Sequence, residues 1–200
     1  MRDPSHILFD AMEKRRAPAR RTHPEVSPEG WLSGAHRVLS PNCDDRPLGC
    51  IVRLLVIHAI SLPPGEFGGE TVLDFFTNRL DPAGHSFFAT IASLKVSAHF
   101  FLRRGGELIQ LVPCAKRAWH AGVSSWRGQD ACNDFSIGVE VEGCDEKPFT
   151  EKQYRRLARI SRALLDAYPI EEIVGHSGIA PGRKTDPGPC FDWARFRRLL

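Results

Sequence analysis

Nowhere in this 200-residue chain do the roughly 18–20 apolar residues of a membrane span run together, so no membrane partner is expected. The first nine residues are polar and include Asp3, Pro4 and His6, which leaves no continuous apolar core for a secretory leader. A cytoplasmic location follows as the expectation. Net charge is only +3, and basic residues do not interleave with aromatic ones, so no nucleic-acid partner is expected either. Mild basicity suits a small anionic substrate instead. The six cysteines (Cys43, Cys50, Cys114, Cys132, Cys144 and Cys190) contain no C-x-x-C pair, and in a reducing compartment they read as free thiols. There is no internal repeat, and nothing in the chain implies an obligate protein partner.

What is present is enough for one domain with a hydrophobic core. Residues 1–30 stand apart: Lys14, Arg15, Arg16, Arg20 and Arg21 alternate with Pro18, Pro24 and Pro28, and apolar residues are few. Such a segment buries too little surface to offset its ordering entropy, so it is expected to be a flexible basic N-terminal extension. Residues 31–200 form the expected folded domain.

Within that domain, Ile51–Ala59 is a nearly continuous, β-branched run and predicts a buried strand ending near His58. Thr71–Leu80 carries apolar residues at helical spacing. Ser97–Leu102 and Glu107–Val112 flank Arg103-Arg104-Gly105-Gly106 and predict a hairpin. Ser136–Glu142 predicts a further strand. Thr150–Tyr168 predicts the clearest helix, with a capping box from Thr150 and Gln153 and a stop at Pro169. Glu171–Val174 predicts a short strand leading to His176, and Asp192 can cap a last short helix. Strands mixed with helices, one hairpin among them, predict an α/β domain with a mixed β-sheet flanked by helices.

The chemistry concentrates in few places. His58, His176 and Asp186 offer the imidazole nitrogens and carboxylate oxygen that suit zinc, and three protein ligands leave a position open, as in catalytic sites. The Gly- and Pro-rich segment Gly175–Cys190 holds His176, Arg183, Lys184 and Asp186. An ammonium two residues from Asp186 could stabilise charge developing on a carbonyl oxygen; a solvated turn is the alternative. Glu140 and Glu142 share one face of their strand, and either could serve as a general base, so periodicity does not choose between them. His99, in an apolar strand, reads as a core histidine. His120 follows Trp119 and precedes Ala121-Gly122, which suits either a cleft wall or a structural role.

Four ordered segments carry a resemblance: His58-Ala59-Ile60-Ser61-Leu62-Pro63-Pro64-Gly65, Ala118-Trp119-His120-Ala121-Gly122, Asn133 to Glu140, and Arg183 to Pro189. Together they resemble the zinc N-acetylmuramoyl-L-alanine amidases, a family that also includes phage lysozyme-type amidases and peptidoglycan recognition proteins. Within it they are most similar to the cytoplasmic amidases of peptidoglycan recycling, from about Trp31 to the C-terminus. The resemblance implies Zn2+ held by His58, His176 and Asp186, Glu140 rather than Glu142 as the catalytic carboxylate, and Lys184 assisting. It implies a muropeptide substrate, with Ala59, Lys95, Trp119, His120 and Arg183 on the substrate side. Ala59, Lys95 and Ala131 depart from the family's usual residues, so substrate affinity or preference is expected to differ. The rival readings are a broad amidase acting on polymeric peptidoglycan and a non-catalytic recognition module.

Overall fold

The computed structural model describes residues 6–8 and 24–200. In chain order the strands and helices are β1 (His6–Leu8), β2 (His36–Arg37), β3 (Cys43–Asp45), β4 (Leu54–Ile60), α1 (Thr71–Phe76), α2 (Ser86–Ile91), β5 (Phe100–Leu102) and β6 (Leu108–Gln110). They continue with β7 (Lys116–Ala118), β8 (Ser125–Trp126), β9 (Gln129–Asp130), β10 (Ser136–Glu142), α3 (Glu151–Ala167), β11 (Glu172–Gly175), α4 (His176–Ile179) and α5 (Trp193–Leu199). Seven strands form one sheet in the order β1-β11-β4-β10-β5-β6-β2. Neighbours among β11, β4, β10 and β5 run parallel; β5 and β6 form the antiparallel hairpin, closed by Gly106 at φ 88. The mixed sheet with flanking helices is the architecture the sequence pattern predicts.

Alternation along the strands divides the core. Leu55 and Ile57 of β4 and Ile137, Val139 and Val141 of β10 face α3 and α5, meeting Tyr154, Leu157, Ile160, Leu164 and Phe196. Helix α3 starts where its sequence indicates: the Thr150 side chain accepts from the Gln153 N–H, and the Gln153 side chain accepts from the Thr150 N–H. On the opposite face Phe101, Ile109 and Leu111 pack against Val72, Phe75 and Phe76 of α1 and Phe88 of α2. That second face also carries His58 and Glu140. With helices on both sides, the whole of β10 is buried.

Two expectations change. Helix α1 ends at Phe76 rather than Leu80, because the Thr77 hydroxyl turns back to the Leu73 carbonyl and Asn78 follows at φ 61. The extension read over residues 1–30 is interrupted twice by ordered chain. His6–Leu8 pairs antiparallel with β11, His6 opposite Val174, and buries Ile7. From Pro24 the chain lies on the domain, where Val26 bridges Leu32 and the Gly30 carbonyl accepts from the Cys114 N–H. A strand partner and a core contact satisfy groups that composition alone leaves in water. The basic run from Lys14 to Arg21 lies outside the described residues. No helix among the described residues is long and apolar enough to cross a membrane.

Candidate metal centre

The site stands at the carboxyl ends of the parallel strands, the usual place for ligands in open α/β sheets. β4 and β10 pair with His58 opposite Glu140, so the two side chains share a face. β11 pairs with β4 through Gly175 opposite Ile57, which brings the next residue, His176, level with His58. Asp186 arrives on the following loop, fixed where its carbonyl accepts from the Ser177 N–H and where the Lys184 N–H donates to the Ala180 carbonyl.

The three side chains converge on one point. His58 Nδ1 lies 3.0 Å from His176 Nδ1, and each of these nitrogens lies 3.1 Å from Asp186 Oδ2. Metal–ligand bonds of about 2.0–2.1 Å in a tetrahedron place ligand atoms about 3.3 Å apart, so this triangle is close to one face of a zinc polyhedron. His58 and His176 are buried and Asp186 is half-buried. Among the described residues this is the only group of three or more His, Cys, Asp or Glu placed to share a cation.

Burial pushes the His58 imidazole down to about 4, against a partly offsetting effect of the Asp186 carboxylate beside it, so at neutral pH the ring is uncharged and ready to ligate. Burial works to raise the Asp186 carboxyl, but the adjoining His176 and His58 rings outweigh it and hold the group well below the ordinary carboxylate range. Glu140 goes the other way. Burial, then the nearby Asp186 charge, raise it well above its ordinary value, while Lys184 pulls it back. Its Oε1 stands 4.0 Å from His58 Nδ1, and its buried Oε2 has no hydrogen-bond partner. Glu142 is occupied on both oxygens, accepting from the Gly68 N–H at 2.6 Å and the Arg104 N–H at 2.8 Å.

A cleft of about 740 Å³ opens over this centre. Its lining includes the apolar Phe75, Phe87, Ile91 and Leu94 and the polar Cys144, Asp145, Glu146 and Thr185. Ala59, Trp119, Arg183 and Lys184 line it, as does His120. The Trp119 indole N–H donates to Asp44, which also pairs with Arg117. Arg183 directs Nε and Nη2 at the carbonyls of Ala121 and Val123, so these donors hold the wall rather than a ligand. The His120 ring nitrogens face His58 and Ser136. Lys95 is exposed between Leu94 and Val96 and does not line the cleft. Ala131, at φ 59, borders a separate hollow beside Val123 and Ile179. His99 is the core histidine expected, its Nδ1 accepting from the Gly138 N–H.

Sequence reasoning missed Arg46, half-buried and donating to the carbonyls of Cys114, Asn133, Asp134 and Ser136. It also passed over Asn133 and Ser136 as individuals, although both stand in the segment that carries the resemblance.

Two histidines and an aspartate converge on one position where a cation could be held, beside a glutamate with one buried oxygen unpaired. The sequence profile of the N-acetylmuramoyl-L-alanine amidases matches residues 48–189, and the chain belongs to that family. The 1,6-anhydro-N-acetylmuramyl-L-alanine amidase AmpD of Escherichia coli (strain K12) is 58% identical over 174 residues, covering 86% of this chain and 95% of that relative. The crystal structure of a selenomethionine AmpD derivative superposes with a TM-score of 0.85 at 56% identity, over 88% of this chain and 98% of the other. A complex of E. coli AmiD with anhydro-N-acetylmuramic acid-L-Ala-D-gamma-Glu-L-Lys gives a TM-score of 0.55 at 27% identity, over 87% of this chain and 65% of the other.

Proposed function

We propose that this chain is a zinc-dependent amidase of peptidoglycan recycling. It hydrolyses the amide between the lactyl group of 1,6-anhydro-N-acetylmuramic acid and the L-alanine of a muropeptide. The observation that carries the reading is the Glu140 carboxyl, buried beside His58 with Oε2 free of any partner. Leaving a buried oxygen unpaired costs stability, and a proton-transfer role explains its retention. A purely recognising module gains nothing from such a group, which disfavours that alternative.

His58, His176 and Asp186 have the donor atoms and spacing to hold zinc, which supplies Lewis acidity toward a carbonyl and acidifies water. Glu140 takes the proton of the attacking water and returns it to the leaving amine of L-alanine. Its elevated affinity for protons fits that shuttle. Lys184, exposed on the Asp186 loop and lining the cleft, stabilises the negative charge that develops on the carbonyl oxygen. The mixed apolar and polar lining of the cleft suits a substrate that joins a compact bicyclic sugar to a peptide. We place the enzyme in the cytoplasm with soluble muropeptide fragments, a reading that rests on the recycling relatives and that cell fractionation tests.

The test is Glu140→Gln in the zinc-loaded protein. Zinc content by elemental analysis is expected to stay at one per chain while turnover of anhydro-muropeptide is mostly lost. Retained turnover would remove Glu140 from the chemistry.

A further inference from the structure

Both histidines of the metal centre are held from behind by one short stretch of chain. His58 Nε2 lies 2.9 Å from His120 Nδ1, and His176 Nε2 lies 3.0 Å from the carbonyl of Ala121, the next residue. That stretch is itself clamped: Asn133 Oδ1 accepts the backbone N–H of His120 at 3.0 Å and of Ala121 at 2.8 Å. Arg46 fixes the Asn133 end by donating to the carbonyls of Asn133, Asp134 and Ser136. Gly138 leaves room for the His120 ring, since a Cβ there would sit 2.5 Å from His120 Cγ.

Behind the two metal-site histidines, the direction of each hydrogen bond follows from its fixed acceptor; in front, Asp186 Oδ2 stands 3.1 Å from both Nδ1 atoms and competes for the same protons. The Ser136 hydroxyl donates to the Cys132 carbonyl at 2.5 Å, which has no proton to give. Ser136 Oγ therefore accepts from His120 Nε2–H, 3.1 Å away. A neutral His120 with its proton on Nε2 has a bare Nδ1, which accepts from His58 Nε2–H. That leaves His58 Nδ1 bare. The Ala121 carbonyl likewise requires a proton on His176 Nε2 and leaves its Nδ1 bare. Both lone pairs then point at the position shared with Asp186.

We propose that His120 is a positioning residue, which together with Ser136, Asn133 and the Ala121 carbonyl fixes His58 and His176 in the tautomer that presents Nδ1 to zinc. The proposal rests on the zinc reading above. It departs from the usual carboxylate or carbonyl partner of a metal histidine by using a second, neutral histidine.

The test compares wild type, His120→Leu and His120→Asn, the last placing an amide oxygen near the Nδ1 position. Two quantities are read: zinc affinity by chelator competition, and the tautomer of His58 in the metal-free protein by long-range 1H–15N correlation. Wild type is expected to show His58 protonated on Nε2. His120→Leu is expected to show mixed tautomers and to bind zinc about 10–100-fold more weakly. His120→Asn is expected to recover most of both. Unchanged tautomer and affinity in His120→Leu would overturn the proposal, as would a His120→Asn variant no better than His120→Leu. Should His120→Leu fail to fold, Ser136→Ala decides: it deletes the acceptor that sets the polarity, and a wild-type tautomer with wild-type affinity would refute the frame. Failure of the wild type to bind zinc would sink the functional reading instead, while the metal-free spectrum still judges the frame.

Discussion

Glu140 and Glu142 are two residues apart on one strand face, and their partners give them different work. Glu142 is tied down by two backbone N–H groups; Glu140 faces the cleft and keeps one buried oxygen free. Period-two reasoning finds the pair but cannot see the Gly68 and Arg104 backbone that separates them, because those segments arrive from elsewhere in the chain. His58, His176, Asp186 and Lys184 were legible by residue type and motif. His120 was legible as a cleft residue but not as the partner of His58, a relation fixed only once the strands align. Two outcomes follow at this scale. Lys184→Ala is expected to lower kcat by about a hundredfold or more with zinc content unchanged; a change confined to KM would mark Lys184 as a substrate anchor. The raised Glu140 carboxyl also predicts a stability effect. The folded metal-free protein holds this proton more tightly than the unfolded chain, so stability is fully present below the ordinary glutamate range and is lost as pH rises through the raised value. Metal-free Glu140→Gln should therefore melt higher than metal-free wild type at neutral pH and equally at low pH. Equal melting at both would contradict the assigned burial cost.

Elements with strong local signals are read directly from the sequence. Helix α3 and its capping box, the β5–β6 hairpin and the seven residues of β10 all appear where pattern places them. The two- and three-residue strands β2, β3, β7, β8 and β9 do not, since so few residues carry no period. Strand β1 escaped for a further reason: its partner is β11, more than 160 residues away, as the His6 to Glu172 hydrogen bond shows. It covers an edge that would otherwise be open, and Ile7 is buried beneath it. Burying such a side chain contributes about 1.5–3 kcal/mol. Deleting residues 1–8 is thus expected to lower Tm by about 3–12 °C. Activity on soluble muropeptide well below that transition is expected to persist, because no β1 residue lines the cleft. An unchanged Tm would show that this strand does not dock in solution.

Across the whole molecule, the parallel sheet is what turns distant residues into one site. His58 and His176 are 118 positions apart and meet because β4 and β11 are adjacent and in register. Composition indicated one domain, and the motifs indicated which residues meet, but only strand order explains why they do. The cleft over this site is lined by both apolar and polar side chains drawn from several segments of the chain. The most direct measurement is mass spectrometry of the products from a 1,6-anhydro-N-acetylmuramyl tripeptide, with metal-free protein before and after zinc is restored. The expected products are free 1,6-anhydro-N-acetylmuramic acid and an intact tripeptide beginning with L-alanine, formed only with zinc. Cleavage at another bond, or equal cleavage by the metal-free protein, would contradict the assignment.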